Sequence, residues 1–410
     1  MAAHPDLKLL FATRALRMFA YGVGSVVLVL HLAAAGEGEA RIGLLLSLTL
    51  LGDVAVSLAV TTRADRVGRR RMLALGGALV AATGAAFATT TAFPLLAAAA
   101  TVGVLSPSGN EVGPFLPIEQ AAIAQALAPE RRTATFAWYQ LTGALATAAG
   151  ALAGGTCAEA LQRAGVVPLR SYQLLFAGYA AAGIALALLP LGLSAAVEAG
   201  HLEVPRPGAL GLHASRGVVL RLSALFSLDA FAGGFVVQSF VAWWFHRRFG
   251  AGPALLGAIF FGANVLAGLS ALSAAAIARR YGLVRTMVFT HLPSNLLLAA
   301  VPFAPTLPIA IAILLARFSI SQMDVPTRQS YTMAVVRPDE RAAAAGLTGI
   351  ARTVGAALAP LAAGPLYASA ALSGVPFLVA GGLKVLYDLA LWRGFRHLPA
   401  EHERRARSAP

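Results

Sequence analysis

Long apolar runs separated by short polar loops dominate the sequence. An α-helix needs about 20 apolar residues to cross the hydrocarbon core of a bilayer. Twelve runs near that length cover residues 9–34, 42–62, 72–93, 95–127, 133–156, 171–194, 217–245, 252–277, 284–304, 307–335, 341–367 and 373–392. Because lipid offers the backbone no hydrogen-bonding partner, such runs must fold as helices. The sequence therefore predicts an all-α membrane protein whose twelve transmembrane helices contact the lipid bilayer.

The fourth run is unusual because it is too long for one plain crossing. It spans residues 95–127 and contains Pro107, Pro114 and Pro117. Proline removes a backbone donor and clashes with the preceding turn of a helix. We therefore expect this crossing to be kinked, with its freed carbonyl groups satisfied by neighbouring helices or by water.

Composition and charge exclude several classes of protein. Hydrophobic residues make up 58% of the chain and charged residues 12%, whereas soluble domains have about twice that charged fraction. The net charge of +14 does not indicate a nucleic-acid partner, because the charges lie between apolar runs and not along one helix face. The single cysteine, Cys157, excludes a disulfide within the chain, and His31 and His291 lack partners at ligand spacing. We expect no metal site and no cofactor.

The distribution of basic residues predicts the orientation in the membrane. With both termini inside, 21 of the 32 Lys and Arg residues fall in inner segments and five in outer loops. An excess of Lys and Arg in short loops marks the cytoplasmic side of a membrane protein. We expect a multi-pass protein of the cell (inner) membrane with both termini in the cytoplasm.

An internal repeat divides the chain into two halves. Residues 117–155 align without a gap on residues 326–364, at an offset of 209. The matched positions pair Pro117, Gln120, Pro129, Arg132 and Gly155 with Pro326, Gln329, Pro338, Arg341 and Gly364. Two six-helix copies in the same orientation are related by an axis along the membrane normal. The expected organisation is a bundle at 1–194, a cytoplasmic linker at 195–216, a second bundle at 217–392 and a cytoplasmic tail at 393–410. We expect a monomer.

The loop between the second and third runs is rich in arginine. It reads Thr61-Thr62-Arg63-Ala64-Asp65-Arg66-Val67-Gly68-Arg69-Arg70-Arg71. The loop recurs weakly before the ninth run, where Gly282 corresponds to Gly68 at an offset of 214. Five arginines in eleven residues fix this side of the bilayer as cytoplasmic.

This loop resembles the G-x-x-x-D-R-x-G-R-R signature of the major facilitator superfamily. Five residues match it, and Thr61 replaces the first glycine; the matching residues are Asp65, Arg66, Gly68, Arg69 and Arg70. The resemblance implies the twelve-helix fold of that family. It also implies a role for Asp65, Arg66, Arg69 and Arg70 in bridging the second helix to the eleventh in the outward-open state. Chain length and linker length resemble the drug–proton antiporter branch most. However, the arginine-bearing fourth-helix motif of that branch is missing.

Charged residues inside the predicted spans are the candidate functional residues. Burying one such charge against lipid costs about 2.5–3.5 kcal/mol of free energy. Most of these residues must therefore line a water-filled cavity or form ion pairs with each other. Eight form the candidate site for substrate and coupling ion, namely Asp229, Asp324, Asp53, Glu119, Arg328, Arg17, Arg14 and Arg317. Four further charged residues in the spans are not assigned to this site: Glu111, Arg352, Lys384 and Asp388. Glu111 is expected near the outer face. Lys384 and Asp388 are four residues apart on one helix, so we expect them to pair with one another.

Two sets of pairings are open for the candidate site. The offset of 209 places Glu119 on Arg328, so these two could approach each other across a central cavity. Alternatively, each pairs within its own half, Glu119 with Arg17 and Arg328 with Asp324 or Asp229. Asp229 and Asp324 are the first choices for a proton site, and static ion pairs with Arg328 or Arg317 are their alternative role.

Asp53 is the third choice for the proton site. Its alternative is a structural role toward Arg14 or Arg17.

The expected function is secondary active transport by alternating access. The chain contains no G-x-x-x-x-G-K-[ST] motif, so the energy must come from a gradient and not from a nucleotide. We expect proton-coupled efflux of an organic or amphipathic small molecule. The alternatives are a proton-coupled uptake symporter and, from another class, a membrane receptor or lipid-handling scaffold without vectorial transport. No nucleophile–base or metal constellation indicates an enzyme.

Overall fold

The computed structural model describes residues 5–126, 129–198, 215–337 and 340–397. In these residues the secondary structure is helical, with fifteen α-helices joined by short loops and 3₁₀ turns. Seven precede the predicted linker: α1 Pro5–Ala34, α2 Glu39–Val67, α3 Arg69–Thr89, α4 Phe93–Val102, α5 Phe115–Ala126, α6 Pro129–Arg163 and α7 Pro168–Leu188. Eight follow it: α8 Arg216–Gly234, α9 Gln238–Phe249, α10 Pro253–Tyr281, α11 Leu283–Ala300, α12 Leu307–Phe318, α13 Asp324–Val335, α14 Arg341–Ala368 and α15 Val375–Phe395.

The helices account for the twelve apolar runs, three of which are interrupted. Among the described residues, ten segments are long and apolar enough to cross a membrane, and two shorter apolar helices are α4 and α12. The fourth run comprises α4 and α5, the seventh α8 and α9, and the tenth α12 and α13. The predicted kink in the fourth run is therefore a full break over residues 103–114. The seventh and tenth runs are also interrupted, at residues 235–237 and 319–323.

Proline explains where two of the broken crossings resume as helices. Pro117 is the third residue of α5, and its repeat partner Pro326 is the third residue of α13. The first turn of a helix tolerates proline, because its N–H groups have no intrahelical acceptor there. Both helices thus begin at the same position of the repeat.

Glycine explains the tight turn after the second and eighth crossings. Gly68 separates α2 from α3 with φ +112°, and Gly282 separates α10 from α11 with φ +89°. A side chain would be strained in these backbone conformations, whereas glycine adopts them freely. The two glycines are the pair that the sequence repeat matches at an offset of 214.

The chain divides into two compact units, here called unit 1 (residues 1–203 and 237–264) and unit 2 (residues 204–236 and 265–410). In unit 1 the most extensive packing is of α3 on α7 and of α1 on α6. In unit 2 it is of α8 on α14 and of α11 on α15, which are the repeat-related pairs. Residues 237–264 group with unit 1, whereas the sequence assigns them to the second bundle. The division at residues 194 and 217 stays a prediction, and residues 199–214 of the predicted linker lie outside the described residues.

Small residues allow the helices of unit 1 to approach closely. A Cβ atom on Gly22 of α1 would lie 2.2 Å from the carbonyl oxygen of Thr147 in α6. One on Gly77 of α3 would lie 2.2 Å from the backbone nitrogen of Ala187 in α7. Small residues at such contacts are how membrane helices associate, because lipid supplies no hydrophobic driving force between them.

We expect Gly77→Ala to destabilise the protein, because the added methyl group would meet backbone that cannot yield. Overpacking of this kind costs about 1–3 kcal/mol, so the melting temperature of the protein in detergent should fall by several degrees. Gly178→Ala on α7 is the matched control, because a Cβ atom there has no atom within 4 Å. Equal melting temperatures for the two variants would show that the close α3–α7 contact does not matter for stability.

Candidate functional site

Many of the charged side chains in the predicted crossings gather in two groups, one in each unit. The first charge cluster belongs to unit 1 and consists of Arg14 and Arg17 on α1, Glu111 in the break of the fourth crossing, Glu119 on α5 and Tyr139 on α6. The second charge cluster belongs to unit 2 and consists of Asp229, His291, Asp324, Arg328, Arg352, Lys384 and Asp388.

Arg17 is the centre of the first charge cluster. Its Nη1 and Nη2 atoms donate to the two carboxylate oxygens of Glu119, at 2.8 and 2.7 Å. Its Nε atom donates to Oε1 of Glu111 at 2.8 Å. The side chain of Arg17 is 0% exposed and that of Glu119 is 1% exposed. A bidentate arginine–carboxylate pair is among the strongest hydrogen-bonded pairs in proteins, and Tyr139 also donates its hydroxyl to Glu119.

Arg14 and Glu111 complete the first charge cluster. Arg14 Nη1 donates to Oε2 of Glu111 at 2.6 Å, and its Nε atom donates to the carbonyl oxygen of Tyr139 at 2.8 Å. The Glu111 side chain is only 14% exposed, so it is not solvated as expected; its place nearer the outer face stays a prediction. Two arginines are matched by two glutamates, and the cluster is formally neutral.

Asp229 on α8 is the centre of the second charge cluster. Lys384 Nζ lies 2.5 Å from Oδ1 of Asp229, and Oδ2 lies 3.3 Å from Arg328 and 3.5 Å from Arg352. Arg328 also donates to Asp324, one turn earlier on α13, at 2.9 Å. Both first choices for the proton site are therefore ion-paired, as in the alternative considered for them.

Asp388 on α15 has partners that the sequence did not indicate. Its carboxylate lies 2.9 Å from His291 Nδ1 and accepts from Asn295 Nδ2 at 2.8 Å, and both partners are on α11. The expected pair between Lys384 and Asp388 was wrong, because α15 packs on both α8 and α11 and the two side chains reach different helices. Within the described ranges, no group of three His, Cys, Asp or Glu side chains could hold a metal ion.

Arg317 lies near this cluster at the end of α12. Its guanidinium lies over the ring of Phe318, with Cζ 4.8 Å from the ring centroid. Its Nε atom is buried and, among the described residues, has no hydrogen-bond partner. Arg317 thus adds a positive charge to this region, and none of the described carboxylates forms an ion pair with it.

Asp53 differs from every other candidate carboxylate. It lies midway along α2, fourteen residues from either end. Its Oδ1 atom accepts from the backbone N–H of Gly113 at 2.5 Å and from Ser57 Oγ at 3.2 Å. Among the described residues, no cation lies within 4.0 Å of this carboxylate, so the structural role expected toward Arg14 or Arg17 was wrong.

A family model described as the Major Facilitator Superfamily matches residues 10–360. The chain belongs to the major facilitator superfamily. Proteins of this superfamily are transporters and not enzymes, so this member is a multi-pass membrane protein with a transporter fold.

Known proteins similar to this superfamily member cover almost its whole length. An uncharacterized membrane protein of Saccharomyces cerevisiae is 31% identical over 420 residues, which cover 95% of this chain and 94% of the yeast protein. The crystal structure of a mutant of the nucleoside transporter NupG has a TM-score of 0.76 at 15% identity, covering 95% of this chain and 100% of that one. The crystal structure of a D-xylose–proton symporter has a TM-score of 0.73 at 15% identity, covering 95% and 98%. The two structures share the fold.

The superfamily signature loop anchors the segment that follows α7. The backbone N–H of Arg69, in the first turn of α3, donates to Glu198 Oε2 at 2.6 Å, and a carboxylate is favoured at this positive end of a helix. Arg69 Nη1 donates to Gln125 at 2.8 Å, and Arg70 donates to the carbonyl oxygen of Leu191. Arg66 is exposed. The Asp65 side chain lies outside the described residues, so its expected role stays a prediction.

The ion pairs described for the two charge clusters each lie within one cluster. Glu119 pairs with Arg17 in unit 1, and Arg328 pairs with Asp324 and Asp229 in unit 2. We therefore expect the exchange Glu119→Arg with Arg328→Glu to be as inactive as either single reversal, because each exchanged residue would meet like charges in its own cluster. Transport by the three variants in proteoliposomes tests this, with the amounts of folded protein matched. Better transport by the double variant than by both single variants would instead support pairing across the two halves.

Proposed function

We propose that this superfamily member is a proton-coupled secondary transporter that exports an organic small molecule in exchange for protons, with Asp53 as the carboxylate that carries the proton. The observation that carries this proposal is the position of Asp53. It lies at the middle of a transmembrane helix and, in the described part of the chain, has no ion-pair partner.

A carboxylate in such a position is suited to bind and release a proton. An unpaired charge within a bilayer costs about 2.5–3.5 kcal/mol or more, and protonation removes that cost. Asp229 and Asp324 are less suited, because removing either charge would leave Lys384 or Arg328 without its partner. The proposed proton site is therefore Asp53. Asp229 and Asp324, which the sequence analysis preferred, are less suited to this role.

The contacts of Asp53 suggest how proton binding could act on the helices. Asp53 holds Gly113, at the end of the break of the fourth crossing. The same break carries Glu111, which binds both arginines of α1, and Pro107, whose carbonyl oxygen accepts from Ser239 of α9. A hydrogen bond to a carboxylate is roughly twice as strong as one to a neutral acceptor. Protonation of Asp53 would loosen α2 from a segment that connects it to α1 and α9.

Uptake by proton symport is the second candidate function. Its support is the D-xylose–proton symporter among the similar structures, which carries the same fold. A single protonatable carboxylate serves symport and antiport equally well. The two differ in whether substrate and proton cross in the same direction or in opposite directions.

Proton movement driven by a solute gradient tests this proposal. The purified protein is first screened for compounds that raise its melting temperature, and the best compound is used with proteoliposomes that enclose a pH-sensitive dye. Antiport predicts that an outward gradient of the compound acidifies the lumen, whereas symport predicts that it makes the lumen alkaline. Absence of both a pH change and counterflow of the labelled compound would contradict transport and support a receptor or scaffold.

A further inference from the structure

The two charge clusters differ in their balance of charge. In the first, Arg14 and Arg17 are matched by Glu111 and Glu119. In the second, with Arg317 included, four cations face three carboxylates; the cations are Arg317, Arg328, Arg352 and Lys384, and the carboxylates are Asp229, Asp324 and Asp388. One of these carboxylates, Asp388, is bound by Asn295 and His291 and not by a lysine or arginine. With Arg317 included, this group of described side chains therefore carries one surplus positive charge.

Two arginines have the weakest pairing in this group. Asp229 is already bound by Lys384 at 2.5 Å and by Arg328 at 3.3 Å, and Arg352 is the more distant cation at 3.5 Å. Arg352 Nη1 and Arg317 Nε are both buried and, among the described residues, lack a hydrogen-bond partner. The Arg352 side chain is 34% exposed, whereas those of Arg328 and Lys384 are 7% and 9% exposed. Part of the Arg352 side chain can thus be reached by a ligand, while Nη1 itself is buried beside Asp229.

The two halves differ at these positions. Within the aligned block, Arg352 falls on Gly143, and extending the offset of 209 beyond that block places Arg317 on Ser108 and Glu111 on Ile320. In unit 1 the space beside Gly143 is occupied by the guanidinium of Arg14, whose Nε atom would lie 2.7 Å from a Cβ at that glycine. Glu111 neutralises that guanidinium. The second half supplies arginines at these places and omits the carboxylate.

We propose that Arg317 and Arg352 bind the anionic group of the transported molecule, a carboxylate or a phosphate. Guanidinium groups match both oxyanions in geometry and bind them through paired hydrogen bonds. A ligand oxyanion would supply hydrogen-bond acceptors to the two guanidinium groups and balance the surplus charge. This inference rests on the proposed transport function and narrows its substrate from organic molecules in general to organic anions.

Binding of matched small probes tests the substrate class without any gradient. The melting temperature of the purified protein in a non-ionic detergent is measured with benzoate, phenyl phosphate, benzamide and benzylammonium at equal ionic strength. A ligand that binds only the folded state raises this temperature. We expect benzoate or phenyl phosphate to raise it and the neutral and cationic probes not to, and the larger anion effect identifies carboxylate or phosphate. Absence of an anion-specific effect, or an equal effect of benzamide, would overturn the proposal.

Substitutions locate the site. Arg317→Gln and Arg352→Gln should each weaken the affinity for the active anion about tenfold or more, since each removes a charged hydrogen-bond donor. Arg170→Gln, at an exposed position on α7, is the control and should bind normally. Without ligand, Arg352→Gln should keep or raise the melting temperature by relieving repulsion, whereas Arg328→Gln should lower it. Undiminished anion binding in both Arg317→Gln and Arg352→Gln would contradict the assignment.

These measurements separate this proposal from the transport proposal. If anion binding depends on Arg317 and Arg352 but no counterflow occurs in proteoliposomes, the anion site is supported and transport is rejected. Counterflow of a neutral or cationic compound, without anion binding, would leave transport standing and reject the anion site.

Discussion

Asp53→Asn is expected to abolish proton-driven transport while preserving exchange of the substrate across the membrane. The amide oxygen of asparagine can still accept from Gly113, so the variant resembles the protonated carboxylate and should fold normally. Asparagine cannot bind or release a proton, so accumulation driven by a pH gradient should fall roughly a hundredfold, the contribution typical of a positioned proton-transfer group. Counterflow of labelled substrate, which needs no net proton movement, should continue.

Ser57→Ala is the matched control for this prediction. Ser57 donates to the same oxygen of Asp53 at 3.2 Å from one turn away, and its removal leaves the carboxylate in place. We expect this variant to retain coupling with at most a shifted pH dependence. If Asp53→Asn still accumulates substrate against a pH-driven gradient, Asp53 does not carry the proton.

Arg17→Met is expected to cause the largest loss of stability among single substitutions in unit 1. Methionine fills a similar length of the pocket but leaves the buried carboxylate of Glu119 without its bidentate partner. Removing one partner of a buried ion pair costs about 3–5 kcal/mol, and Glu111 would also lose one of its two cations. We expect little folded protein after extraction in detergent, measured by size-exclusion chromatography and thermal unfolding.

A surface ion pair provides the comparison for Arg17. Arg163 pairs with Glu159 one turn earlier on α6, but its side chain is 78% exposed. Exposed pairs contribute about 0–1 kcal/mol, so Arg163→Gln should be almost as stable as the parent protein. The double variant Arg17→Met with Glu119→Gln should recover part of the lost stability, because it removes the uncompensated charge. Equal stability of Arg17→Met and Arg163→Gln would mean that the first charge cluster does not stabilise the fold.

Much of the fold could be predicted because the bilayer constrains a sequence strongly. The length of the apolar runs predicts the crossings, and the sequence repeat relates Pro117 to Pro326 and Gly68 to Gly282, which occupy equivalent places in the structure. The break between α8 and α9, at residues 235–237, was missed because no proline lies there. Backbone breaks of this kind depend on partners from other helices, and sequence periodicity does not report them.

The candidate site could be predicted in its members but only partly in its pairings. Glu111 was expected to be solvated, but it binds both arginines of α1. Residues 103–114 are not helical, so spacing along a continuous helix could not reveal this contact. The pair of Lys384 with Asp388 was inferred from their spacing on one helix. Such spacing shows only which contacts are possible within the helix. The long lysine side chain instead reaches Asp229 on α8.

The broken fourth crossing has a consequence for how the protein is made. At ten residues, α4 spans only about 15 Å, half of the hydrocarbon core. The non-helical residues that complete the crossing need hydrogen-bond partners, and one of these, Ser239, lies 132 residues beyond the Pro107 carbonyl that it satisfies. More than half of the chain must therefore be synthesised before the hydrogen bond between Ser239 and the Pro107 carbonyl can form within the membrane. Biogenesis of the first half must await the beginning of the second.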